Sequence, residues 1–79
     1  MAKFLTEREL AVLRLLAEGL SNKQISEDLF ISTHTTKAHL ESIYYKFGVN
    51  NRLQAVVKGV LEGILDLQNI VKSDKNIEV

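Results

Sequence analysis

The side chains best suited to chemistry gather in one run: Ser32, Thr33, His34, Thr35, Lys37, Ala38, Glu41 and Ser42. They offer hydroxyls, an imidazole, an ammonium and a carboxylate, a set that forms hydrogen bonds rather than covalent intermediates. The chain has no Cys, no Gly-rich phosphate loop and no Ser/His/Asp arrangement on a credible scaffold, so it reads as a binding protein and not an enzyme, with no cofactor. His34 and His39 are five positions apart, which does not bring them to one helix face, so no metal site is expected. His39 reads as a partly buried packing residue. At roughly 100° per residue, Thr36, Leu40, Ile43 and Phe47 would share one helix face, with Tyr44 beside them. The other side would present His34, Lys37, Ala38, Glu41, Ser42 and Tyr45.

A polar helix face is ordinarily just a solvated one. Three features give this one another use. The first turn is rich in hydroxyls, and the free amides of a helix start suit phosphate oxygens. Ala38 sits mid-face, where close approach to a base edge or a thymine methyl needs a small side chain. Lys37 is long enough to reach a guanine edge or a phosphate.

The elements that must position this face are helical throughout, because apolar residues recur at three and four positions and nothing alternates as a strand. A first helix opens after Thr6, where Thr6 and Glu9 form a capping box with Leu5 and Leu10 as a hydrophobic staple, and it stops at Gly19. A second is capped by Ser21 with Gln24 and runs to about Phe30. The third opens at Ser32, spans 33–47 and ends near Gly48. The fourth is capped by Asn51 with Gln54 and runs to about Leu65. The expected fold is all-α: a compact four-helix bundle with a central helix-turn-helix in helices 2 and 3. Residues 1–66 form that domain, and 67–79 a polar tail, frayed or disordered.

Composition agrees with one globular domain: 79 residues, 46% hydrophobic and 25% charged. The start lacks a signal-peptide core and no stretch is apolar enough for a bilayer, so a cytoplasmic protein with no membrane partner is expected. Net charge is zero, yet residues 22–58 carry Lys23, Lys37, Lys46, Arg52 and Lys58 against only Glu27, Asp28 and Glu41. The positive excess sits with the hydroxyl-rich helix. It is small, so tight nucleic-acid binding would need two copies.

Leu5-Thr6-Glu7-Arg8-Glu9-Leu10, the run from Leu15 to Ser26, Ile31-Ser32 and Thr35-Thr36-Lys37-Ala38-His39 together resemble the LuxR-type (GerE-like) helix-turn-helix. So do Ile43, Lys46-Phe47-Gly48-Val49, Arg52 and Ala55-Val56, which extends the resemblance over about residues 5–65. The resemblance implies the DNA-binding output domain of bacterial response regulators and quorum-sensing activators, acting in transcription and touching RNA polymerase. Carried over by position, it implies groove contacts for Lys37 and Ala38, with Glu41 one turn on. It implies phosphate contacts or helix positioning for Lys23, Thr33, Thr35 and Arg52. Glu41 would repel phosphate but can accept from a cytosine amino group. Thr36 stands where the family usually has Val, and its hydroxyl is expected to bond back to the Ser32 carbonyl at a cost of about 1 kcal/mol. Phe47 replaces a usual Leu.

On the fourth helix, Val56, Gly59, Val60 and Gly63 are expected to meet the core, with Leu53 and Ile64 beside them. Val57, Leu61 and Leu65 then remain as an apolar flank, read as the interface of a weak homodimer that sits on two DNA half-sites. The alternative is a helix-turn-helix module that has lost DNA binding and serves protein–protein interaction.

Overall fold

The computed structural model describes residues 4–68 and 70. Four helices follow in order: α1 (Glu7–Ala17), α2 (Asn22–Leu29), α3 (Thr33–Phe47) and α4 (Arg52–Leu61). The fold is all-α, as expected, with no strand among the described residues. Every start is set by a capping side chain. Thr6 with Glu9, and Ser21 with Gln24, form complete boxes in which each side chain receives the other's backbone N–H. The Ser32 hydroxyl caps α3 by accepting from Thr35 N at 3.0 Å. Asn51 caps α4, but Gln54 reaches back one residue further and accepts from Asn50 N.

The ends are equally uniform. After each helix one residue enters the left-handed region, and the next amide returns to a carbonyl five residues before it. Gly19, Gly48 and Gly63 serve three of these turns, and Phe30, at φ 59, serves the fourth.

α3 is the central element and packs against all three other helices. Its buried side, Thr36, Leu40, Ile43 and Phe47, is the predicted one. The core adds Leu5, Val12, Leu13, Leu16, Ile25, Ala55 and Leu65. Fully burying one such aliphatic side chain contributes about 1.5–3 kcal/mol.

Three expectations for the fourth helix need correction. It ends at Leu61, not near Leu65, because Gly63 turns the chain at φ 77. That turn folds Leu65 back over Gly59, where a Cβ would lie 2.7 Å from its Cδ1; Leu65 is therefore core and unavailable to a partner. The buried side of α4 is centred on Ala55 and Gly59, with Val56 and Val60 half-buried, and this leaves Leu53 71% exposed. Leu53 thus joins Val57 and Leu61 in one outward apolar line at four-residue spacing. Beyond α4, Leu67, Gln68 and Ile70 are helical, with the Asp66 carboxylate accepting from Gln68 N. Ile70 packs against the core. Of the tail expected to be frayed or disordered over 67–79, residues 69 and 71–79 fall outside the described residues.

Candidate nucleic-acid interface

The exposed side of α3 is continuous. Thr33, His34, Lys37, Ala38, Glu41 and Tyr45 are all exposed and run along one side of the helix. Tyr45, 88% exposed, extends the stripe a turn past Glu41. Tyr44, by contrast, packs half-buried against the core. Three polar side chains of α3 that reach inward, Thr36, Ser42 and Lys46, are hydrogen-bonded within the fold. That separation decides which groups remain available to a ligand.

Ser42, placed by periodicity on the outward face, is instead half-buried. Its hydroxyl donates to Glu9 Oε2 at 2.6 Å, so it is committed to α1. Lys46, one turn on, donates to Glu9 Oε1 at 2.8 Å and to the Phe4 carbonyl at 3.0 Å. Burial raises the Glu9 carboxyl pKa, but hydrogen bonds from Lys46, Ser42 and the Thr6 amide, with the Lys46 charge, outweigh it. The result is a pKa lowered from 4.5 to about 2. This node was not anticipated as part of the site. A signal existed in the sequence: Glu9 shares helical spacing with Val12, Leu13 and Leu16, a carboxylate on an apolar stripe.

At the other end of α3, the fully buried Thr36 hydroxyl lies 2.7 Å from Ser26 Oγ. Ser26 spends its proton on the Asn22 carbonyl at 2.7 Å, so Thr36 is the donor to Ser26. The expected bond to the Ser32 carbonyl is replaced by this chain of two hydroxyls joining α3 to α2. Asn22 is held in turn by Arg52, which donates from Nη2 to its Oδ1 at 2.8 Å and from Nη1 to the Leu20 carbonyl at 3.1 Å. Arg52 therefore positions the start of α4 against the start of α2.

The remaining candidates sit at helix starts. Lys23 is exposed in the first turn of α2. Ser32 is exposed and donates to Thr35 Oγ1 at 3.0 Å while capping that residue's amide, so these two hydroxyls form one small cluster beside Thr33. Among the described residues the ion pairs are Lys46–Glu9 and Lys58–Glu62, and neither involves Lys23 or Lys37.

The arrangement of four helices around an outward-facing third helix is shared with known proteins. Residues 3–58 match the family described as bacterial regulatory proteins, luxR family. The chain belongs to that family. Among its luxR-family relatives, the transcriptional regulatory protein YdfI of Bacillus subtilis (strain 168) is 46% identical over 65 residues, covering 82% of this chain and 30% of YdfI. The transcriptional regulatory protein DegU of Brevibacillus brevis is 48% identical over 59 residues, 75% of this chain and 25% of DegU. A crystal structure of the response regulator ChrA in a heme-sensing two-component system superposes with a TM-score of 0.76 at 43% identity, covering 77% of this chain and 30% of ChrA. The luxR-family domain here thus spans less than a third of the length of these proteins. No helix among the described residues is long and apolar enough to cross a membrane.

Proposed function

We propose that this chain binds double-stranded DNA sequence-specifically in transcription regulation, with α3 in the major groove. The observation that carries the reading is the division of α3. Thr36, Ser42 and Lys46 are hydrogen-bonded to neighbouring elements, while His34, Lys37, Ala38 and Glu41 form an outward stripe with no ion pair among the described residues. Lys37 would donate to a base edge or phosphate, Ala38 would allow close approach, and Glu41 would accept from a cytosine amino group. Lys23, Thr33 and the Ser32–Thr35 cluster would meet phosphates, which set register without reading sequence. Arg52 would act by holding the α2 and α4 starts together.

Two copies would pair through Leu53, Val57 and Leu61 of α4 and occupy two half-sites. Leu61 is 77% exposed, so Leu61→Asp should leave stability within about 0.5 kcal/mol. The same substitution should abolish tight binding to a two-half-site duplex; unchanged binding would remove α4 as the interface. The protein would work in the cytoplasm, without catalysis, and RNA polymerase is the further partner this role implies.

Selection of binding sites from random duplex DNA at two salt concentrations tests the reading. A motif should be enriched at low salt, and affinity should fall steeply as salt rises. Failure to enrich any motif would favour the protein-binding alternative, for which the zero net charge and the apolar α4 stripe are the supporting features.

A further inference from the structure

Glu9 grips α3 at two points one turn apart. Its Oε2 accepts from Ser42 and its Oε1 from Lys46, while Oε1 also closes the α1 capping box on Thr6 N at 3.0 Å. Only 5% of the residue is exposed. Lys46 reaches further, to the Phe4 carbonyl, and the Phe4 ring packs on Phe47 with centroids 6.1 Å apart. One carboxylate therefore joins the entry segment, α1 and the C-terminal half of α3.

The apolar contacts of Leu40, Ile43 and Phe47 hold α3 against the core, but dispersion and burial are non-directional and tolerate small rotations. Hydrogen bonds to two positions on one flank of the helix do not. With a helix radius of roughly 5–6 Å including side chains, a rotation of about 20° shifts an outward tip by roughly 2 Å. That is enough to break a bidentate contact to a base edge. Apolar side chains of similar volume would often hold a fold as well as a buried ion pair does. What the node adds is a defined angle.

We propose that Glu9 is a positioning residue for DNA readout: by holding Ser42 and Lys46 it fixes the rotation of α3, and with it which side chains face the groove. The inference rests on the DNA-binding reading above. It concerns discrimination between sequences and not the phosphate contacts, which depend on charge and tolerate small rotations.

The test compares wild type, Glu9→Gln, Ser42→Ala and Ser42→Thr. Each is measured on the duplex selected by the wild type and on a scrambled duplex, at one salt concentration and well below each variant's melting temperature. Glu9→Gln should reduce the preference for the selected duplex by about tenfold, the equivalent of one weakened base contact, while affinity for the scrambled duplex changes by no more than about twofold. Ser42→Ala, which leaves the ion pair and the net charge intact, should show a smaller drop of about threefold, and Ser42→Thr should restore the wild-type ratio. If Glu9→Gln does not fold, the Ser42 pair decides alone. An unchanged ratio in folded Glu9→Gln or Ser42→Ala, or a parallel loss on both duplexes, overturns the proposal. A wild type that selects no motif instead overturns the DNA-binding reading itself.

Discussion

α3 is tied to its neighbours near both ends, and the two ties differ in kind. Near its start, Thr36 donates to Ser26 and Ser26 to the Asn22 carbonyl, a neutral chain buried between α2 and α3. Near its end, Glu9 binds Ser42 and Lys46, a charged node between α1 and α3. The neutral chain satisfies groups that would otherwise be costly to bury, and replacing both hydroxyls by apolar groups of the same shape can be nearly neutral. The charged node cannot be half-removed so cheaply, because a deleted partner leaves an ion in a poorly hydrated place. The two ends of one helix therefore carry unequal stakes.

Removing the carboxylate should have the largest effect. Glu9→Ala leaves the Lys46 ammonium, 27% exposed at its side chain, without its counter-charge and opens the α1 box. Urea unfolding should show a loss of about 3 kcal/mol. Acid should do reversibly what this substitution does permanently. The carboxyl pKa is lowered in the fold from 4.5 to about 2, so the stabilisation is fully present above 4.5 and is lost as pH falls through about 2. At about 1.4 kcal/mol per pKa unit, that window accounts for at most about 3.5 kcal/mol. Glu9→Gln should flatten this part of the stability–pH curve, and a curve unchanged in the variant would mean that other carboxylates dominate acid unfolding.

The hydroxyl chain should respond less and without pH dependence. Ser26→Ala strands the buried Thr36 hydroxyl and should cost about 1–2 kcal/mol. Thr36→Val lets Ser26 keep its bond to Asn22 and should stay within about 1 kcal/mol of wild type. A double-mutant cycle on the two would measure their coupling. Equal losses for Thr36→Val and Glu9→Ala would erase the distinction between the ties.

How far each tie could be read from sequence follows from its range along the chain. Thr6, Ser21, Ser32 and Asn51 announce their helices through partners three residues away, and Gly19 and Gly48 announce ends, so α1, α2 and α3 were legible to within a residue or so. The spacing places Thr36 on the buried face, but its partner Ser26 lies ten residues off and a local bond to Ser32 is the nearer solution. In the sequence Glu9 reads as a cap, a role that accounts for it fully. Its bonds to Ser42 and Lys46 span 33 and 37 residues, and only packing creates them. The same limit misplaced Ser42 on the outward face. In α4, the amphipathic pattern alone puts Leu53 beside the core and passes over Ala55, because the answer depends on Leu65 returning over Gly59 after the Gly63 turn.

The smallest effect probes what joins the two tied helices. Phe30 links α2 to α3 at φ 59 and ψ 43, a conformation that an L residue adopts at a cost and glycine adopts freely. Its ring is 92% exposed, so the fold gains little packing from it. Phe30→Gly relieves the backbone strain but gives the unfolded chain more freedom, and the net should be a gain of about 0.5–1 kcal/mol by urea unfolding. That outcome requires the α2–α3 angle to be held by Thr36 and Ser26 rather than by the turn residue. A loss of stability instead would show that Phe30 restrains the turn, and that the neutral chain is the weaker of two constraints on the start of α3.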